Sequence, residues 1–130
     1  MQKTITLIFA IFFAVIGVAA FVPALAPVNA DGQLLLYIFQ VNTTQNYIHL
    51  LTALVAFVAF FGGAYYTKNY LVVFGLVYAL VALWGLPGLM STYDGVLFGL
   101  IHVNLATELL HIAIAVVALY GGFAKVKASK

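Results

Sequence analysis

The chain has 130 residues, of which 66% are hydrophobic and only 6% charged. Soluble domains carry roughly a quarter charged residues, so this composition excludes a water-soluble fold and points to an integral membrane protein. Cysteine is absent, which removes disulfides, thiolate metal ligands, thiol nucleophiles and cysteine-anchored haem. The net charge of +2 comes from five lysines without any arginine and makes no basic face for nucleic acid.

A bilayer core takes roughly 20 apolar residues per helix, so the length predicts four spans and no soluble domain. The first runs from about Thr4 to Leu25 and is closed by Pro23 and Pro27. It exceeds the roughly 7–15 apolar residues of a signal-peptide core, so a retained span is expected. Residues 31–41, centred on Gln33-Leu34-Leu35-Leu36-Tyr37-Ile38-Phe39-Gln40, are apolar but too short to cross, and are predicted to be an interfacial or shallow re-entrant piece. Asn42 is a predicted helix N-cap, with Gln45 three residues on completing a capping-box pattern. The second span is then expected from Thr43 to about Tyr66, followed by a turn at Thr67-Lys68-Asn69. A third runs from Tyr70 to about Leu86, where Pro87-Gly88 is expected to stop it. A second short apolar piece covers 94–103, and Asn104 caps a fourth span from Leu105 to about Phe123, ahead of a basic tail over 124–130.

One stretch is written twice. Val41-Asn42, Asn46 and His49 are answered 62 positions later by Val103-Asn104, Glu108 and His111. Offsets of four and seven from the asparagine place all three polar residues on one helical face. Further anchors keep the same order: Val22-Pro23 with Leu86-Pro87, Asp31-Gly32 with Asp94-Gly95, and Gly62-Gly63 with Gly121-Gly122. The expected fold is therefore all-α, with four transmembrane helices built from two parallel two-helix repeats (1–66 and 67–130) and short interfacial segments on the outer face. A repeat holding an even number of spans enters the membrane in the same sense twice. Lys3, Lys68, Lys125, Lys127 and Lys130 then share one side and Asp31 and Asp94 the other, so the positive-inside rule places both termini in the cytoplasm. Tyr65, Tyr66 and Tyr70 on that side, and Tyr37, Trp84 and Tyr93 on the other, suit interfacial belts.

The duplicated stripe is the candidate site, and several chemistries compete for it. In the packing reading, Asn42 and Asn104 cap helices while Asn46, His49, Glu108 and His111 bond between helices, polar contacts being one of the means by which helices associate in lipid. Alternatively, His49 and His111, at matching depth about 10 Å below the caps at 1.5 Å per residue, ligate a haem iron or a chlorophyll-type magnesium. A metal ion held by His49, His111, Glu108 and His102 is a third reading. The fourth is proton or solute transport, since Glu108 is an ionisable residue within a span. A hydrolase or transferase lacks a nucleophile–base pair here, so an enzyme is not expected. The expected role is a non-enzymatic scaffold or accessory subunit that meets lipid and other transmembrane subunits, or itself, inside the bilayer.

The pattern Val-Asn-x-x-x-Asn-x-x-His-Leu-Leu, then Val77 to Gly85, then Leu97 to His111, resembles the small bacterial four-span membrane proteins grouped as domain of unknown function 4383. The resemblance covers about Phe9 to Gly122. It implies a four-span fold in the cytoplasmic membrane of a bacterium or archaeon, and it brings no activity with it. Members often carry a further histidine where this chain has Gln45, and Asp-Asn where this chain has Thr107-Glu108.

Overall fold

A computed structural model describes residues 1–90, 96–97 and 101–125, the side chains of 87–90, 96–97 and 101–102 excepted. Four helices carry the architecture: α1 (Gln2–Ala19), α2 (Thr43–Gly62), α3 (Ala64–Met90) and α4 (Leu105–Phe123). Each is long and apolar enough to span a membrane, and the chain is a multi-pass membrane protein. Neighbouring helices alternate in direction. Phe13 of α1 meets His49 of α2 and Lys3 lies over the Phe60 ring, while Tyr78 of α3 meets His111 of α4 and Gly122 lies against Val72. The tightest pairings are α1 with α2 and α3 with α4.

Apolar burial does not drive helices together in lipid, so close approach of small residues and side-chain interlocking must do it. The chain supplies both. Ala53, Ala56 and Ala59 are buried on α2, and Ala115 and Ala118 on α4. A Cβ built on Gly75 would stand 3.0 Å from the Leu119 backbone nitrogen, and one on Gly122 3.0 Å from that of Val72. At the centre Phe13 packs edge-on against Phe74, with centroids 5.4 Å apart, and at a tilt against Tyr78, with centroids 5.8 Å apart. At the end bearing Met1, the Gln2 side-chain amide donates to the carbonyl oxygens of Gly121 (3.0 Å) and Gly122 (3.3 Å), tying α1 to the end of α4.

Several predicted boundaries shift. The reversal expected at Thr67-Lys68-Asn69 falls at Gly63, and those three residues lie in the first turns of α3. Gly63 adopts φ 97°, and a Cβ added there would meet no heavy atom within 4 Å, so the break follows from glycine's backbone freedom. The first helix ends at Ala19, and the chain from Phe21 to Ala26 descends through backbone turns around Pro23. Pro87 does not stop α3, which continues to Met90. A proline removes a single N–H, and a membrane helix tolerates it where neighbours satisfy the freed carbonyl.

The larger departure is the segment predicted as an interfacial piece, because the fold is not wholly helical. Strands β1 (Val28–Asn29), β2 (Gly32–Leu35) and β3 (Phe39–Val41) form a three-stranded antiparallel sheet in the order β1-β2-β3. Gln33 pairs with Val41 and Leu35 with Phe39. A sheet closes the backbone hydrogen bonds of a run too short to span, so this piece satisfies its own backbone without a helix. A second antiparallel pair, β4 (Val96–Leu97) and β5 (Ile101–His102), occupies part of the other predicted interfacial piece. Tyr93, Asp94, Gly95, Phe98, Gly99, Leu100, Lys127 and Lys130, all used in the sequence reading, lie outside the described residues.

Candidate functional site

Both asparagines of the duplicated motif cap helices. The Asn42 side-chain oxygen accepts from the Gln45 backbone N–H at 2.8 Å, and that of Asn104 from the Thr107 N–H at 2.9 Å. This answers one of the four N–H groups that a helix start leaves unpaired. The reciprocal half of the capping box is not made, because neither amide atom of the Gln45 side chain has a hydrogen-bond partner. Asn104 also reaches outside its helix: its amide donates to the Ile38 carbonyl at 2.8 Å. Beside it, the Thr107 hydroxyl donates to the Gln40 carbonyl at 3.0 Å. The β2–β3 hairpin, which precedes α2 in the chain, is thereby fastened to the start of α4.

Gln40 organises the other side of that hairpin. Its amide donates to the Asn29 side-chain oxygen (3.2 Å) and to the Gln33 carbonyl (3.3 Å), and its own oxygen accepts from Asn29 at 2.7 Å. Asn46, with no exposed surface, donates to the Gln33 side-chain oxygen at 3.2 Å. The observed partner of Asn46 is therefore a strand residue and not another helix.

Below this layer His49 and His111 come together on one cavity of about 80 Å³, roofed by Leu35, Leu36 and Phe39 of the hairpin and also lined by Gln45 and Thr107. Each imidazole packs on an aromatic ring of the helix paired with its own, His49 on Phe13 and His111 on Tyr78, both at 5.5 Å between centroids. Neither Nδ1 has a hydrogen-bond partner. Glu108 departs from the group. It is fully buried, both carboxyl oxygens lack a partner, and it presses on Gly85 of α3, where a Cβ would overlap Oε2 and stand 2.7 Å from Cδ. Leaving a buried polar group without a partner costs about 1–3 kcal/mol, and more for a charged one.

The structure therefore unites His49 and His111, ties Asn46 and Asn104 to the hairpin, and sends Glu108 towards α3. Among the described residues no three or more His, Cys, Asp or Glu groups are placed to hold a metal ion; the His102 side chain lies outside them. Gln33, Gln40, Gln45, Thr107, Phe13, Tyr78 and Gly85 also build this region. For Gln33 and Gln40 a signal was present, since they are the polar residues at the two ends of the apolar run, and folding it into a hairpin brings the Gln40 amide to the Gln33 backbone carbonyl.

Comparison with curated proteins finds no match, and comparison with solved structures finds none. A family model, Domain of unknown function (DUF4383), matches residues 3–124. Four spans, two Asn-to-His motifs and a match over nearly the whole chain carry one conclusion: the protein belongs to the DUF4383 family.

Proposed function

We propose that this protein is a non-enzymatic membrane scaffold or accessory subunit, packing within the bilayer against other transmembrane subunits or a second copy of itself. One observation carries the reading: the polar residues of the motif are turned inward, and the outward faces are apolar. Gln45, Asn46, His49, Thr107, Glu108 and His111 are all buried, whereas Ile11, Val15, Leu51, Val58, Leu80 and Val116 are exposed. Contact with another protein must then be made largely through lipid-facing side chains, where packing and shape replace the hydrophobic effect.

In this proposal the chain is two parallel repeats about an axis along the membrane normal, with both termini in the cytoplasm. Support comes from the matched pairs Phe13–His49 and Tyr78–His111, whose aromatic members touch each other. The Gln2 tie to Gly121 and Gly122 stands where Gly62-Gly63 joins α2 to α3 in the other half. Lys3, Lys68 and Lys125 fall at one end of the bundle and Asp31 at the other.

The His-ligated cofactor reading has the shared cavity in its favour, but about 80 Å³ is well below the roughly 300–1,000 Å³ of small-molecule pockets. A porphyrin does not fit between these helices as they are packed. Photo-crosslinking amino acids at Val58 and Val116 in living cells test the scaffold reading. Adducts with one defined transmembrane protein, or with a second copy, are expected; adducts with lipid alone at both positions overturn it. A Soret or pigment band in the purified protein, lost in both His49→Ala and His111→Ala, would favour the cofactor reading instead. Labelling of cysteine from outside the cell is expected at Asp31→Cys and not at Lys68→Cys; the reverse result overturns the orientation.

A further inference from the structure

Gly63 joins α2 to α3 directly, yet the two helices draw apart on the lipid side and leave a groove of about 500 Å³ between them. Its floor is a column on α3. Tyr70, Phe74 and Tyr78 follow one another by about one helical turn, with ring centroids 5.0 and 4.4 Å apart. All three are buried, and Phe13 backs Phe74 and Tyr78 from inside the bundle, so core packing itself shapes the groove. Leu51, Val55 and Val58 of α2, with Val73 and Val77 of α3, stand along its rims, and all are exposed.

Length, width and polarity together select the occupant. The groove runs from Tyr66 to Tyr78 along α3 and from Ala59 to Ile48 along α2, about 17–18 Å at 1.5 Å per residue. That is close to the depth of one leaflet, about 15 Å of a 30 Å hydrocarbon core, whereas a membrane-spanning partner would call for the whole depth. A helix of that length and about 10 Å across takes about 1,300 Å³, more than twice the space. Its close approach would also depend on small residues, but the rims carry leucine and valine, and Ala59 lies buried. An acyl chain is narrower and asks for no hydrogen bonds, and the accessible wall of the groove is almost entirely apolar. The exposed polar side chains of the lining gather at one end: Tyr66 and Asn69 stand near Gly63, with the Tyr66 ring against Gly62. An ester and headgroup would meet donors there, the Asn69 amide and the Tyr66 hydroxyl, with an apolar run beyond.

We infer that this groove is a lipid site, holding one acyl chain of a phospholipid from the leaflet on the Gly63 side, with the headgroup beside Asn69 and Tyr66. The lipid then completes the seam between the two tightly packed pairs, α1 with α2 and α3 with α4. Lipid held in this way is a packing element of the folded protein, whereas lipid against Ile11 or Val116 only solvates it.

The test uses the full chain in liposomes of phosphatidylethanolamine and phosphatidylglycerol, doped with a phospholipid that carries a diazirine near one end or the other of an acyl chain. Photolysis and peptide mass spectrometry map the adducts. Several-fold more adduct is expected on Leu51, Val55, Val73 and Val77 than on the comparably exposed Ile11, Val15 and Val116. The probe near the ester should label towards Asn69, and the probe near the chain terminus towards Ile48 and Tyr78. Val55→Trp and Val73→Trp add bulk to the two rims at exposed positions, and each should bring the excess down to the level of α1 and α4. Equal labelling of all faces in the unmodified chain overturns the proposal, as does a reversed depth order or an excess that survives both tryptophans. Crosslinks from the groove to a second copy of the chain would give it to a helix and overturn the proposal too. A photo-crosslinker at Val58 is then expected to capture lipid, while Val116 on α4 still decides the scaffold reading, so either can fail without the other.

Discussion

Replacing Gly85 by alanine should destabilise the protein, and the cause should be a single carboxyl group. Alanine normally improves a helix interior over glycine by about 1 kcal/mol, so intrinsic propensity predicts a gain. The structure opposes it. The new methyl would overlap Oε2 of Glu108 and approach Cδ to 2.7 Å, against an ordinary carbon contact of about 3.5–4.0 Å. Glu108 must retreat by about 1 Å on that comparison, yet it is fully buried and has no solvent to move into. Overpacking of this kind costs about 1–3 kcal/mol, which outweighs the propensity gain over most of its range. The test is a double-mutant cycle with Glu108→Ala, read by reversible unfolding in mixed micelles. With the carboxyl gone, Gly85→Ala should become neutral or stabilising, giving a coupling of about 1–3 kcal/mol. If Gly85→Ala costs the same in both backgrounds, Glu108 is not what the glycine accommodates.

Asn104→Ala should lose about 0.5–2 kcal/mol from the helix cap and about 1 kcal/mol from the bond to Ile38. Asn104→Asp keeps the acceptor facing Thr107 and loses only the donor, so hydrogen exchange at the Thr107 amide should accelerate in the alanine variant alone. Gly122→Ala and Gly63→Ala should both cost about 1–3 kcal/mol for different reasons. At Gly122 the methyl meets Val72 Cγ2 at 2.8 Å and the Val72 backbone nitrogen at 3.0 Å; at Gly63 it meets nothing, and only φ 97° opposes it. Val72→Ala should therefore recover part of the Gly122→Ala loss, measured by thermal unfolding, and none of the Gly63→Ala loss.

Four spans were readable because lipid imposes one strong rule, long apolar runs, and α4 begins and ends where Asn104 and Phe123 predict. The capping role of both asparagines was readable for the same local reason. The hairpin over 32–41 was not, because its turn uses Leu36 and Tyr37 at positive φ, where turn chemistry leads one to look for glycine or asparagine. What holds that turn is tertiary: the Leu36 N–H donates to the Leu25 carbonyl at 2.6 Å, and the Tyr37 hydroxyl to the Ala24 carbonyl at 3.0 Å. The meeting of His49 and His111 was legible only as matching depth. Which helices face each other depends on where Phe13, Phe74 and Tyr78 interlock, and periodicity carries no information about that. The partnership of Gly85 with Glu108 was hidden for a related reason, since a glycine in an apolar helix reads as background until its neighbour is known.

The two copies of the motif differ most at Asn46 and Glu108, and that difference separates a packing role from another kind. Asn46 donates to Gln33, so Asn46→Leu removes the buried partner of a part-buried hydrogen bond and should cost about 0.5–1.5 kcal/mol. Glu108 has no partner to abandon. Glu108→Leu exchanges an unpaired buried acid for an apolar side chain of similar size, a change that is neutral or stabilising where no good pairing is lost. Unfolding of the two variants side by side should therefore move in opposite directions, or leave only Asn46→Leu destabilised. A loss in Glu108→Leu as large as in Asn46→Leu would mean that the carboxyl contributes to packing after all. Stabilisation would carry the opposite implication: an acid that the fold does better without, buried within a span, is held there by what the protein does in the membrane and not by how it folds.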